Sequence, residues 1–199
     1  MTQGELRDYI QNAILMGQLV NVDSLQDLRE TFLNMEFISS FNGSAEYNGM
    51  YFKINKNNKI VLTLCRNDYE CLDLWDAIDI IGVEAFFGND TVKELMAKSV
   101  TEIETRAFAH SSISYVNMNS LRKIHTSAFE RSELIEIQAP NLITVQDYCF
   151  WGCEKLVTID APKLRCANEN VFTHCQSLDE NSKHLATFLS YQNYKKSYK

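Results

Sequence analysis

The chain is short of several things, and each shortage excludes something. It has 2 Pro and 7 Gly in 199 residues, so it is neither collagen-like nor a Pro-rich extended chain. No uncharged apolar run approaches the roughly 18 residues that a membrane-spanning helix needs. The opening Met1-Thr2-Gln3-Gly4-Glu5-Leu6-Arg7-Asp8 lacks a basic stretch followed by an apolar core. A secretory leader is therefore not expected, and the expected localisation is cytoplasmic. There is no phosphate-cradling glycine loop, no HExxH zinc pattern and no calcium-loop spacing. Positive charge is also scarce: 19 basic side chains stand against 26 acidic ones, a net charge of −7. The deficit lies in residues 71–180, with 9 basic against 17 acidic groups, whereas 181–199 holds four Lys and no acid. An acidic body repels phosphate, so nucleic-acid binding through it is not expected. The tail Tyr194-Lys195-Lys196-Ser197-Tyr198-Lys199 reads as a solvated terminus or as a contact for an anionic surface.

What is present is enough for a core. Hydrophobic residues make up 45% of the chain and charged residues 23%, close to the globular average. A length of 199 residues suits one domain, or one domain and an appendage.

The strongest pattern is an internal repeat. Phe86, Phe108, Phe129, Phe150 and Phe172 are spaced by 22, 21, 21 and 22 residues. Eight residues before each lies Ile78, Val100, Leu121, Leu142 or Leu164, and five before lies Ile81, Ile103, Ile124, Val145 or Ala167. Immediately before each comes Ala85, Ala107, Ala128, Cys149 or Val171; three after comes Asn89, Ser111, Ser132, Cys153 or Cys175. Further on fall Val92, Ile113, Leu134, Leu156 and Leu178, then Leu95, Val116, Ile137 and Ile159. Seven columns stay in phase over about a hundred residues. Within one unit, Ile137 and Ala139 alternate with Glu136 and Gln138, the period-two pattern of a half-buried strand. Pro140 and Pro162 hold matching positions and end the strand. A unit of this size cannot hide its own apolar side, but stacked units bury it along a continuous core. The expected fold class is an α/β solenoid with a parallel strand ladder.

The wording Leu121-Arg-Lys-Ile124-His-Thr-Ser-Ala128-Phe129-Glu-Arg-Ser-Glu-Leu134-Ile-Glu-Ile137 resembles the BspA-like class of leucine-rich repeats. Phe150-Trp-Gly-Cys153-Glu-Lys-Leu156-Val-Thr-Ile159-Asp-Ala-Pro162 resembles it more closely still. The resemblance spans residues 78–178 in about five units. It implies a right-handed solenoid that presents a binding surface. Many members of the class are secreted or surface-anchored adhesins.

The flanks read as covers for the stack. Residues 1–45 form an expected helical segment, with Leu6, Ile10, Ala13 and Ile14 on one apolar stripe. Leu25, Leu28, Phe32, Leu33 and Phe37 make a second stripe, capped by Asp23 or Ser24. Ser39 to Ser44 carries a loop signal. Residues 46–77 are the expected capping hairpin and lead-in: Met50–Ile54 and Lys59–Leu64 flank a turn at 55–58. The resemblance adds that the family often opens with such a hairpin. Residues 78–178 form the solenoid. Residues 179–199 supply a C-terminal capping helix, started by Asn181 or Ser182 with Leu185, Phe188 and Leu189 on one face, and the basic tail. Residues 1–40 serve either as packing or as a contact for a partner or a second copy.

No catalytic residue, cofactor or metal site is expected. The six cysteines include the Cys149-x-x-x-Cys153 pair and the later His174-Cys175, which superficially resemble zinc ligands. Their places in the repeat register explain them better than a metal or a disulfide does, as buried structural thiols: Cys153 and Cys175 in the small polar column that satisfies backbone groups at the corner, Cys149 in the small-residue column before Phe. His110 and His174 are turn residues, and His125 is expected to face outward. None joins a nucleophile and a carboxylate in a recognisable pattern.

The positive candidate is the outer side of the strand ladder. By register it presents Glu94 and Met96, Tyr115 and Asn117, Glu136 and Gln138, then Thr158 and Asp160. Trp151 is a second exposed-aromatic candidate at a corner. An aromatic anchor among polar residues suits a protein interface, and the acid favours a basic partner. The expected function is non-enzymatic protein binding, as an adaptor or inhibitor. The alternative is a structural subunit of a larger viral or bacterial assembly, docking or self-associating through residues 1–40.

Overall fold

A computed structural model describes residues 20–21, 44–47 and 49–196, with 58, 67, 68, 75 and 169 excepted, and side chains only between residues 49 and 189. The expected N-terminal helices lie outside the described residues, as do the end of the tail, most of the 39–44 loop signal and all of the proposed contact in residues 1–40 except Val20 and Asn21. Ser44 itself opens a strand.

In chain order the strands are β1 (Val20–Asn21), β2 (Ser44–Tyr47), β3 (Met50–Ile54), β4 (Ile60–Cys65), β5 (Cys71–Asp73), β6 (Ile80–Ile81) and β7 (Glu94–Met96). They continue as β8 (Glu102–Ile103), β9 (Tyr115–Asn117), β10 (Lys123–Ile124), β11 (Glu136–Gln138), β12 (Thr144–Val145), β13 (Thr158–Asp160) and β14 (Cys166–Ala167). The helix α1 (Glu180–Lys196) follows. Two sheets run along one axis. One has the order β13-β11-β9-β7-β5; the other has the order β1-β2-β3-β4-β6-β8-β10-β12-β14. Each coil of the repeat contributes one strand to each sheet, and all pairs between coils are parallel.

The repeated columns are the core. All five residues of the Ile78-to-Leu164 column are fully buried, and the Phe column forms a continuous stack. Successive rings lie 4.7, 4.9, 5.5 and 5.6 Å apart with planes within 16° of parallel. The residues two before and two after each Phe all have φ between +52° and +70°. Eight of these ten are not glycine, and each such residue costs on the order of 1 kcal/mol. A ladder between coils offsets that strain. Glu84, Phe86 and Gly88 donate their N–H groups to the carbonyls of Thr105, Ala107 and Ala109 at 3.2, 2.7 and 3.0 Å, and later coils repeat the pattern. The corner thus sends every second N–H to the next coil.

The hairpin forms as expected, with β3 antiparallel to β4, and β2 adds a third antiparallel strand. Its role differs from a lid. β4 pairs in parallel with β6, Val61 against Ile80 and Leu62 against Ile81, so the hairpin extends the ladder. Cys65 takes the place of a Phe in this first coil: its N–H donates to Ala85 O at 2.8 Å, as Phe86 N–H does to Ala107 O. The junction is tight at Gly82. Its N–H donates to Leu62 O at 2.7 Å, and an added Cβ would sit 2.7 Å from that oxygen and 3.0 Å from Val61 Cγ1. Gly82→Ala is therefore expected to cost about 1–3 kcal/mol, read as a lower urea midpoint. A change under about 0.5 kcal/mol would show that the junction yields.

At the other end α1 covers the last coil. Its N-cap is Asp179, whose Oδ1 accepts from Ser182 N–H at 2.8 Å; neither Asn181 nor Ser182 holds that place. The hydrogen bond from the Ser182 backbone holds the Asp179 carboxyl below the usual carboxylate range. Leu189 is buried and Leu185 partly so, but Phe188 is exposed.

Candidate interaction face

The outer side of the five-stranded sheet follows from its three-residue strands. The middle residues Leu72, Leu95, Val116, Ile137 and Ile159 are buried, so the flanking residues point away from the core. Register sets them in two rows. The first runs Cys71, Glu94, Tyr115, Glu136, Thr158; the second runs Asp73, Met96, Asn117, Gln138, Asp160. Neighbours within a row are about 4.8 Å apart. Tyr115 is 44% exposed and Met96 48%.

Six of the nine expected site residues come together. Glu94, Met96, Tyr115, Asn117, Glu136 and Gln138 line one shallow depression of about 310 Å³, with Leu95 and Val116 as its floor. Their polar groups hold one another: Asn117 Nδ2 donates to Gln138 Oε1 at 3.1 Å, and Gln138 Nε2 donates to Glu136 Oε1 at 2.8 Å. Asp160 lies exposed at the far end of the second row.

The other two are placed differently. Thr158 is half-buried, and its hydroxyl donates to Asp179 Oδ2 at 3.4 Å, so the C-terminal cap engages it. The edge of β13 is closed there, because Ile159 N–H donates to Ser182 Oγ at 3.0 Å. Trp151 is half-buried at a corner and lines a separate groove with Arg131, Glu133, Lys155 and His174. The Arg131 guanidinium lies 4.5 Å from the Trp151 ring centroid and the His174 ring meets it edge-on at 5.5 Å. These contacts fold the indole against neighbouring coils.

The sequence reasoning missed Cys71 and Asp73, which begin the two rows. Cys71 is exposed, not a buried thiol, and its Sγ donates to Glu94 Oε2 at 3.5 Å. Partial desolvation, then the Glu94 hydrogen bond, raise its pKa and keep it a donor. The signal was Leu72, which lies 23 residues before Leu95 in the column of buried strand centres. Cys149 and Cys153 are buried, while Cys166 and Cys175 are partly exposed. Cys153 and Cys175 do serve the corners: their thiols donate to Phe129 O at 2.8 Å and Phe150 O at 3.0 Å, one coil back. His125 is half-buried and its Nε2 sits 3.2 Å from Glu102 Oε2, so it does not simply face outward.

Among the described residues no group of three or more His, Cys, Asp or Glu is placed to hold a metal ion, and no helix is long and apolar enough to cross a membrane.

The family model for the BspA type leucine rich repeat region matches residues 65–179 in six copies. Among solved structures, the chain is similar to a leucine-rich repeat protein of T. pallidum, at 15% identity and a TM-score of 0.43, over 72% of this chain and 94% of that one. It is also similar to a leucine-rich cell surface protein of Faecalibacterium prausnitzii, at 12% identity and a TM-score of 0.36, over 71% of this chain and 54% of that one. No curated protein matches the chain.

Proposed function

The chain belongs to the BspA-type leucine-rich repeat family, and from that premise we propose that it is a non-enzymatic binding module that docks a basic protein on the outer face of its five-stranded sheet. Leucine-rich repeat proteins are generally protein-interaction modules. The observation that carries the reading is the composition of the two rows. Their ten residues include four carboxylates, Asp73, Glu94, Glu136 and Asp160, and no Lys or Arg. An exposed aromatic and an exposed methionine lie among them.

These features divide the work of binding. The carboxylates attract a positive surface and speed encounter in a salt-dependent way. Tyr115 and Met96 then supply apolar area, which limits dissociation once water is expelled. The short strands rest on a packed core, so little ordering cost falls on this face when a partner arrives.

Affinity capture from the source cell with three baits tests the reading. Wild type and Val83→Ser, a change at an exposed corner position, should retain one common protein. Tyr115→Ala/Glu136→Lys should lose it, with a drop of about 2 kcal/mol or more in direct binding to that protein once purified. Equal capture and equal affinity for all three baits would remove the strand face from the function.

A further inference from the structure

We propose that Glu94, Tyr115 and Glu136 form a clamp for a single arginine side chain of the protein partner. The inference rests on the strand-face reading and narrows it to one residue type at one place. These three residues occupy adjacent strands at the same register, Glu94 opposite Tyr115 and Tyr115 opposite Glu136. Tyr115 therefore stands in register between two glutamates, each on a strand about one spacing away.

The carboxylates are held in place. Cys71 Sγ donates to Glu94 Oε2, and Gln138 Nε2 donates to Glu136 Oε1. Gln138 is oriented in turn by Asn117. Each carboxylate keeps its other oxygen without a protein partner among the described residues.

Arginine fits this arrangement better than lysine. A guanidinium stacks flat on an aromatic face while its N–H groups point outward in the ring plane. Acceptors on both sides of the tyrosine meet those N–H groups as charge-assisted hydrogen bonds. A lysine ammonium is a compact point charge and cannot span both acceptors while lying on the ring. The arginine stem would lie along Met96, which lines the same depression in the second row, diagonal to Tyr115.

The test is an NMR titration of the full chain with three blocked tripeptides, N-acetyl-Gly-X-Gly-amide, in which X is arginine, lysine or citrulline. Citrulline keeps the planar shape and removes the charge. The arginine peptide should shift the amides of 94–96, 115–117 and 136–138, and should bind at least about fivefold tighter than the other two. Glu94→Gln/Glu136→Gln should reduce arginine binding to the citrulline level, with the rest of the spectrum unchanged. Tyr115→Leu should erase the preference for arginine over lysine. Shifts centred elsewhere, or arginine affinity unchanged in the Glu94→Gln/Glu136→Gln protein, would overturn the clamp. If the clamp fails while Tyr115→Ala/Glu136→Lys still loses the captured protein, the docking face stands without the clamp. If that variant also keeps its protein, both readings fall.

Discussion

Phe129→Ala is expected to remove about 3–5 kcal/mol of stability, a large share of the roughly 5–15 kcal/mol that holds a typical domain together. Phe129 is fully buried and is the middle ring of five. It lies 4.9 Å from Phe108 and 5.5 Å from Phe150, with planes tilted by 6° and 16°. Truncation forfeits the ring's burial, opens a cavity and breaks two stacking contacts at once. Coils contact only their neighbours, so a gap in the middle also weakens the coupling between the two halves of the stack. Phe172 supplies the contrast: it has one ring neighbour and is only partly buried. Phe172→Ala should cost about half as much, and both costs are read from urea unfolding midpoints. Equal losses at 129 and 172 would mean that position along the stack does not matter and that coupling between neighbouring coils is not the source of cooperativity.

The same rings made the solenoid legible in the sequence. A stacked coil demands one large planar residue at one place, so the Phe column repeats without exception from Phe86 to Phe172. The outer rows were legible for a related reason. Each buried strand centre, such as Val116 or Ile137, fixes the side on which its neighbours lie. What was hidden lay at the ends. In the first coil Cys65 stands where later coils have the phenylalanine, on a strand that is also part of the hairpin, paired with β3 on one side and β6 on the other. The phenylalanine marker is lost there, which left Leu72 as the one remaining sign of the rows that Cys71 and Asp73 begin. At the far end Asp179 accepts from both Ser182 N–H and the Thr158 hydroxyl. Helix capping and edge protection share that one side chain, and a propensity reading of the helix start sees only the first. Trp151 was ambiguous for a different reason. Whether an aromatic beside a corner stays exposed depends on side chains 20 and 23 residues away, here Arg131 and His174.

Alkaline solution should unfold the protein through its corner thiols. Burial pushes the Cys153 and Cys175 thiols up to about 12, and raises Cys149 well above its ordinary value near 9. An unfolded chain exposes these thiols and lets them ionise near 9, while the folded chain keeps them protonated. Between pH 9 and 12 the unfolded state therefore binds fewer protons, and stability falls as pH rises. Below pH 9 both states hold the proton and the thiols make stability neither rise nor fall. Each thiol contributes a loss of roughly 1 kcal/mol per pH unit within that window. The repeat itself names substitutions that keep the structure: Ser111 and Ser132 stand in the column of Cys153 and Cys175, and Ala85, Ala107 and Ala128 in that of Cys149. Cys153→Ser, Cys175→Ser and Cys149→Ala should each flatten the decline of the urea midpoint between pH 9 and 11, and together they should remove most of the thiols' share. A triple variant that unfolds with the same pH slope as wild type would show that other groups set the alkaline limit. Ionisation would also abolish the S–H donors to Phe129 O and Phe150 O, leaving a thiolate facing a carbonyl. The inter-coil contact at that corner is therefore lost in the same proton step that destabilises the fold.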